Sequence, residues 1–482
     1  MALFAGIGVV GSSCSLIIDK NGDQCQADGD CSSFAGTTCQ AGVCTPAMCT
    51  VPSDCAQFSG TICKDGQCLP ASEGCQSNAD CSGSYTICRK DTGSCVALQT
   101  KECPVVLGDW QNDNAVVLGG IMPLDGPDKT TGQALLDSVK LALGDFQRVN
   151  NLPPAPSGSG QRPIVVVACN DGSDTDTAET AAKHLVDDVG VGAIIGCAFS
   201  GITISVATDV TIPGGTLLFS MSATSTAITS LDDHGLVWRT SPSDVYQAAA
   251  LKQYVPKLED QIRTARGLMP TDKIKLTVLY KGDAYGTGLY KALVPTDGKT
   301  PVITINGAPV TDPSNSGFFS EYDYGNPDDP KSDPTKYPQR VAEVLTDQPD
   351  IVLVFGTNEG VTQVFQPIEN QWVAGNRPLW VFSDGGEIKE LWDGIKGNDS
   401  LRQRVTGTVP GTNGPLFQSF RSAYLGSFTD GTSPDVFGTA GSYDITYLLA
   451  YSAVALGDQP LTGANFNSAL SNFFESGMTI DA

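Results

Sequence analysis

Ala193-Ile-Ile-Gly-Cys-Ala-Phe-Ser200-Gly201, followed by Thr216-Leu-Leu-Phe-Ser220-Met-Ser222-Ala-Thr224-Ser225, is the stretch on which the fold turns. In both pieces a short aliphatic run ends in a loop of small hydroxyl residues. A run apolar on both faces suits a buried parallel strand better than a one-sided antiparallel one. Outward from this stretch the same kind of run recurs: Val116–Ile121, Ile164–Ala168, Leu276–Tyr280, Val302–Ile305, Ile351–Phe355, Leu379–Phe382 and Val405–Val409. Helical patterns separate them. After Gly132, the residues Leu135, Val139, Ala142, Leu143 and Phe146 fall on one helical face. Thr175–Asp188, Val245–Ile262, Val361–Gln371 and Tyr443–Leu456 behave alike. Strand and helix in alternation predict an α/β fold of doubly wound Rossmann-like lobes. Some 370 residues exceed one compact lobe, so two are expected with a ligand cleft between them. Asp312–Pro338, rich in Pro and Asp, reads as a surface insertion.

In such sheets ligands bind beyond the carboxyl ends of the strands, where loops lead into helix starts. Two consecutive Ser/Thr loops there can hold an anion through hydroxyls and free N–H groups. The plainer reading is that these residues are N-caps.

The chain has 482 residues and a formal net charge of −24, from 29 Lys+Arg against 53 Asp+Glu. That balance speaks against a nucleic-acid partner, which needs clustered cations. Two histidines make a His-rich metal site or a Ser/His/Asp enzyme a poor fit. His184 lies in a helical pattern and His234 in an Asp-rich loop, and no nucleophile elbow, zincin or P-loop motif occurs. No cofactor or metal is expected, and no membrane-spanning run is present.

Fourteen of the sixteen cysteines lie between Cys14 and Cys103. Cys25, Cys31, Cys39 and Cys44 repeat their spacing in Cys49, Cys55, Cys63 and Cys68, and with drift in Cys75, Cys81, Cys88 and Cys95. Each unit has too few large apolar residues to fold unaided, so disulfides are the expected substitute. They imply an extracytoplasmic compartment, a periplasmic or surface location in the cell envelope. Four cysteines per repeat allow three connectivities. Asp19, Asn21, Asp23, Asp28 and Asp30 begin like a calcium loop, but Gln24 stands where Gly is needed, so an acidic spacer fits better. Ala2–Val10 and Gly11-Ser-Ser-Cys14 read as a signal segment, with Cys14 as a lipidation candidate that would anchor the chain to a membrane. The alternative is a plain secretory segment with Cys14 in a disulfide. Gly6-Ile-Gly8-Val-Val-Gly11 spells a dinucleotide fingerprint without the strand and helix that would give it meaning.

The α/β part also resembles a known family. Ile121-Met-Pro-Leu-Asp-Gly-Pro127, Ile164–Asp171, Ala193–Ser200, Ser220-Met-Ser-Ala-Thr224, Asp283-Ala-Tyr285-Gly-Thr-Gly288, Asp350–Gly356 and Phe382-Ser-Asp384-Gly run collinearly over some 350 residues. In this order they resemble the branched-chain amino-acid (Leu/Ile/Val) binding proteins, type I periplasmic binding proteins that serve ABC importers. The Cys-rich region before them is like that of bacterial envelope lipoproteins. The resemblance implies that Ser200, the backbone of Ser222, and Thr224 bind a ligand carboxylate. It implies that Tyr285 closes over the ligand and that Asp384 pairs with its α-ammonium. Read alone, Asp384 is a turn residue and Tyr285 a packing residue. It further implies a Cys169–Cys197 disulfide, with a reduced, buried pair as the alternative. Thr131, where the family often has an aromatic, and Thr357 with Asn358, near a tyrosine position, imply a wider and more polar pocket. The ligand is then a polar amino acid, an amide or another small solute. Gly477–Ala482 stop where the family continues, so a further segment is expected.

The domains expected are 1–14 signal segment; 15–111 Cys-rich region and linker; 112–243 with 410–482 the first lobe; and 244–409 the second. Hinge crossings fall near 240–247 and 403–412. The expected function is a non-enzymatic solute-binding protein delivering an amino-acid-like small molecule to an ABC permease. The alternative is a ligand-sensing receptor or regulator on the same fold. Turnover lost on substituting Ser200, Tyr285 or Asp384 would instead mark an enzyme. The head is a spacer or a docking element for an envelope partner.

Overall fold

The computed structural model describes residues 25–475, apart from 35, 56, 59–60, 65, 71–73, 374 and 412–413. The signal segment with Cys14, the positions Asp19, Asn21 and Asp23, and the terminal Gly477–Ala482 lie outside the described residues.

Thr37–Gln40 (β1) with Val43–Pro46 (β2), Thr61–Lys64 (β3) with Gln67–Pro70 (β4), and Thr86–Arg89 (β5) with Ser94–Ala97 (β6) form three two-stranded sheets, each after a short 3-10 turn. Between β1 and β2, Ala41 and Gly42 both take positive φ, 50° and 83°, the turn that matches strand twist. One connectivity recurs in all three repeats, first Cys to third and second to fourth. The pairs are Cys25–Cys39 and Cys31–Cys44, Cys49–Cys63 and Cys55–Cys68, Cys75–Cys88 and Cys81–Cys95. The acids serve the turns. Asp30, Asp54 and Asp80 each accept two backbone N–H groups from the residues just before them. Asp28 accepts from the Cys39 N–H. The acidic pattern read in the sequence as a spacer is, at Asp28 and Asp30, backbone capping.

The α/β body is a separate compact unit that includes everything from Val96 onward. Val105–Leu107 (β7), Val116–Met122 (β8), Ile164–Asn170 (β9), Ala193–Ile195 (β10), Leu217–Ser220 (β11) and Val237–Arg239 (β12) form its first sheet, ordered β12-β11-β10-β8-β9-β7. All neighbours are parallel except the β7–β9 pair. Lys129–Arg148 (α1), Thr175–Lys183 (α2) and Ser200–Val206 (α3) fill the crossovers. The α1 residues Leu135, Val139, Leu143 and Phe146 are buried, as their spacing predicts. Gly132 allows α1 to start against the end of β8, since a Cβ there would lie 2.0 Å from the Pro123 carbonyl oxygen.

Asp244–Arg266 (α4) leads into the second sheet. Leu276–Tyr280 (β13) and Ala284–Leu293 (α5) are followed by a small hairpin, Thr304–Ile305 (β14) with Ala308–Pro309 (β15). Then come Phe319–Asp323 (β16), Tyr337–Asp347 (α6), Ile351–Phe355 (β17), Gln366–Gln371 (α7), Leu379–Phe382 (β18), Lys389–Ile395 (α8), Asp399–Arg402 (α9) and Val405–Gly407 (β19). The order is β16-β13-β17-β18-β19, all parallel. The chain then returns. Pro415–Ser427 (α10), Thr439–Leu456 (α11) and Gly463–Glu475 (α12) follow, and Ile445, Leu449, Phe466 and Leu470 join Leu118 and Phe219 in the first sheet's core. The expected α/β architecture of two doubly wound lobes is what the structure has.

Four expectations are corrected. The stretch 312–338 is no mere surface insertion, because it supplies edge strand β16, while the apolar run Val302–Ile305 ends in the small hairpin. The 15–111 region ends too late, because β7 pairs with β9 and so belongs to the first sheet. That pairing also overturns the Cys169–Cys197 disulfide. Val105 lies opposite Ala168, which brings Cys103 beside Cys169, and these two are bonded with Cα atoms 3.8 Å apart. Cys197 is a free, buried thiol.

Candidate functional site

A cavity lies beyond the carboxyl ends of the strands, lined from both sheets. The first sheet contributes Asp128 and Thr131 after β8, Ala198–Ser200 after β10, and Ser222 after β11. The second contributes Lys281, Asp283 and Tyr285 after β13, Thr357 after β17, and Asp384, Gly385 and Glu387 after β18. Buried parallel strands end at one edge, so residues as distant in sequence as Asp128 and Glu387 converge there.

Of the residues named from the sequence, Ser200, Ser222, Thr131, Tyr285, Asp384 and Thr357 all face this cavity. Ser200 Oγ accepts from the Ser225 N–H at 3.2 Å, which ties the two hydroxyl loops into one wall and leaves its own proton free. The Ser222 hydroxyl is committed to the Ala198 carbonyl at 2.8 Å, so only its backbone is available. The Thr357 hydroxyl is committed to Glu359 at 2.5 Å. Thr224 does not reach the cavity. It is 2% exposed and lines a neighbouring hollow with Asp244 and Gln247.

On the opposite wall the Tyr285 hydroxyl lies 2.7 Å from Asp384 Oδ1 and 2.7 Å from Ser383 Oγ, and accepts from the Gly385 N–H at 3.1 Å. Gly385 is required there, since a Cβ would meet the Gly356 carbonyl oxygen at 2.5 Å. Burial pushes the Asp384 carboxyl up to about 6, against the pull of the Tyr285 hydroxyl. Burial, then the Asp435 and Asp384 charges, push Glu387 up to about 7.

Sequence reasoning missed the cation in this site. Lys281 is 1% exposed, ion-paired to Asp328, and 3.8 Å from Asp283 Oδ2. It lies 5.4 Å from the centre of the Phe199 ring. Burial disfavours its charge, but Asp328, Glu359 and Asp283 outweigh burial and hold it well above its ordinary value. Asp283 is also the N-cap of α5, accepting from the Gly286 N–H at 2.8 Å. Asp128 and Glu387 were missed too. The one signal for Lys281 is a lone cation directly after an apolar run, Leu276–Tyr280.

The lobes touch around the cavity. Ser225 Oγ donates to the Ala284 carbonyl at 2.8 Å and Thr130 Oγ1 to Glu390 at 2.6 Å. The Thr175 N–H donates to the Asp328 carbonyl at 3.0 Å, and Lys331 pairs with Asp176 at 2.7 Å. Among the described residues no helix is long and apolar enough to cross a membrane.

Residues 115–294 match the family model described as periplasmic binding protein. No curated protein matches the chain. Among solved structures, the branched-chain amino-acid transporter substrate-binding protein LivJ of Streptococcus pneumoniae, in complex with isoleucine, is 17% identical with a TM-score of 0.54. That match covers 74% of this chain and 88% of the other. The leucine-binding protein LivK of Thermotoga maritima is 15% identical over 74% and 87%, with a TM-score of 0.53. A possible leucine/isoleucine/valine-binding protein of Rhodopirellula baltica is 16% identical over 76% and 88%, with a TM-score of 0.55. These likenesses show the fold, that of the type I periplasmic binding proteins, here preceded by a disulfide-bonded Cys-rich region. The fold that the resemblance implied is the fold found.

Proposed function

We propose that the chain is an extracytoplasmic solute-binding protein, with no chemistry of its own, that encloses a small amino-acid-like ligand and presents it to an ABC permease. One observation carries the reading: a single cavity between two lobes has a hydroxyl-lined loop wall at Ser200 and a buried carboxylate, Asp384, on the facing wall. A zwitterion needs donors for its carboxylate and an acid for its ammonium, and both charges tolerate burial only when partnered. Tyr285 holds Asp384 in place for the ammonium. The LivJ protein solved with isoleucine supports a ligand of amino-acid size. Seven disulfides fit an oxidising compartment. A lipid on Cys14 would tether the chain there, and mass spectrometry of the mature N-terminus reads that directly.

The test is a thermal-shift screen of the full chain against amino acids and small solutes. A bound ligand raises the melting temperature by mass action. Asp384→Ala is expected to remove that gain. A gain that survives in the variant refutes the ammonium assignment.

A further inference from the structure

The walls of the cavity are unevenly charged. Asp128, Asp283, Asp384 and Glu387 line it against the single cation Lys281, and Lys281 is already engaged by Asp328 and Asp283. One α-ammonium answers Asp384 and leaves the other wall acidic.

Asp128 is the informative residue. It stands at the N-cap of the twenty-residue α1, where an Asp ordinarily accepts an N–H of its own helix. Asp174 and Asp283, at the same position of α2 and α5, do so. The Asp128 side chain makes no such bond, although the residue is only 5% exposed. It lines the cavity and has no ion pair within 4.0 Å among the described residues. A buried carboxylate that caps no N–H of its own helix, has no cation paired with it and lines a cavity can take a charged donor that arrives with the ligand. The groups around it are Lys281 and the Ser173 hydroxyl, which favour its charge, and Glu359, Glu390 and Asp171, which oppose it. Burial and then Glu359 raise its carboxyl to about 6 in spite of Lys281, so that lysine does not neutralise it.

Resting on the amino-acid reading above, we infer that the ligand carries a second, side-chain cation, an ammonium or guanidinium, which docks on Asp128 while its α-ammonium docks on Asp384. Thr131, one turn along α1, offers a hydroxyl rather than an apolar surface beside that cation. The Phe199 ring forms the apolar wall for the methylene stem.

The probes are L-arginine, L-lysine, L-norleucine, which keeps the lysine stem without the charge, and agmatine, which is arginine without its carboxylate. Binding to the full chain is followed by calorimetry, with melting curves confirming that each variant is folded. Arginine or lysine is expected to bind at least tenfold more tightly than norleucine. Asp128→Asn is expected to collapse that ratio toward one, while Asp384→Ala abolishes binding of all amino acids. Norleucine binding as tightly as the basic amino acids overturns the inference, yet leaves the amino-acid reading standing if Asp384 is still required. A ratio unchanged in Asp128→Asn, with Glu387→Gln reducing it instead, likewise overturns the assignment to Asp128. Agmatine binding as well as arginine removes the amino-acid reading and keeps the second-cation site. Failure of all four probes to bind refutes both.

Discussion

At the scale of single residues the site rests on two buried arrangements. Lys281 is stable as a cation only because Asp328, Glu359 and Asp283 surround it. Removing one member of a buried pair leaves an uncompensated charge, at a cost of roughly 3–5 kcal/mol. Asp328→Ala should therefore lower the chemical-denaturation midpoint of the α/β body sharply. A midpoint unchanged in that variant would mean that the pair is solvated in solution. The other arrangement is Tyr285 with Asp384. A hydrogen bond to a charged group contributes roughly 1.5–3 kcal/mol, so Tyr285→Phe should weaken the proposed ligand about tenfold or more without unfolding the chain. Some of this was legible beforehand. Ser200, Tyr285 and Asp384 stand in stretches whose wording resembles a family's. Lys281 and Asp128 do not, because their burial depends on partners distant in sequence, and a lone charge beside a strand reads as surface.

The elements were legible where both faces are buried. β13, β17 and β18 read as apolar runs because helices cover both sides of their sheet, and all appear within two residues of expectation. β16 did not, since Phe-Ser-Glu-Tyr-Asp is an edge strand that mixes apolar and polar residues and buries none of them fully. β7, only the three apolar residues Val105–Leu107, was hidden by its shortness, and with it the true partner of Cys169. The Cys103–Cys169 bond closes a loop of 66 residues and locks β7 against β9. Replacing Cys103 by Ser should cost about 2–4 kcal/mol. Peptide mapping without reduction should find Cys103 linked to Cys169, with Cys197 alkylated only after unfolding. A Cys169–Cys197 peptide would contradict the pairing.

For the whole molecule, the acidic cleft makes stability depend on pH. Asp171, Asp244 and Glu387 are raised to about 7, and Asp128 and Asp384 to about 6, in each case chiefly by burial. Their unfolded values lie near 4, so between about pH 4 and pH 7 the folded chain holds protons that the unfolded chain has lost. Stability from these groups is full below that window and falls as pH rises through it. The head behaves oppositely, since backbone N–H groups lower Asp30, Asp54 and Asp80, and that stability is lost only below about pH 4. Without ligand, the α/β body should melt at a higher temperature at pH 5 than at pH 8. Melting curves that rise steadily over that range would show the cleft to be solvated. A ligand with two cations should narrow the difference by pairing the ionised Asp128 and Asp384. Contacts such as Ser225 with Ala284 and Thr175 with Asp328 hold the lobes together around the site, so capture and closure are one event in this account. The most direct measurement is calorimetric titration of the full chain with L-arginine, L-lysine and L-leucine. The account expects saturable binding at one site per chain, lost in Asp384→Ala. Absence of saturable binding to any amino acid, or equal binding by the Asp384→Ala chain, would contradict it.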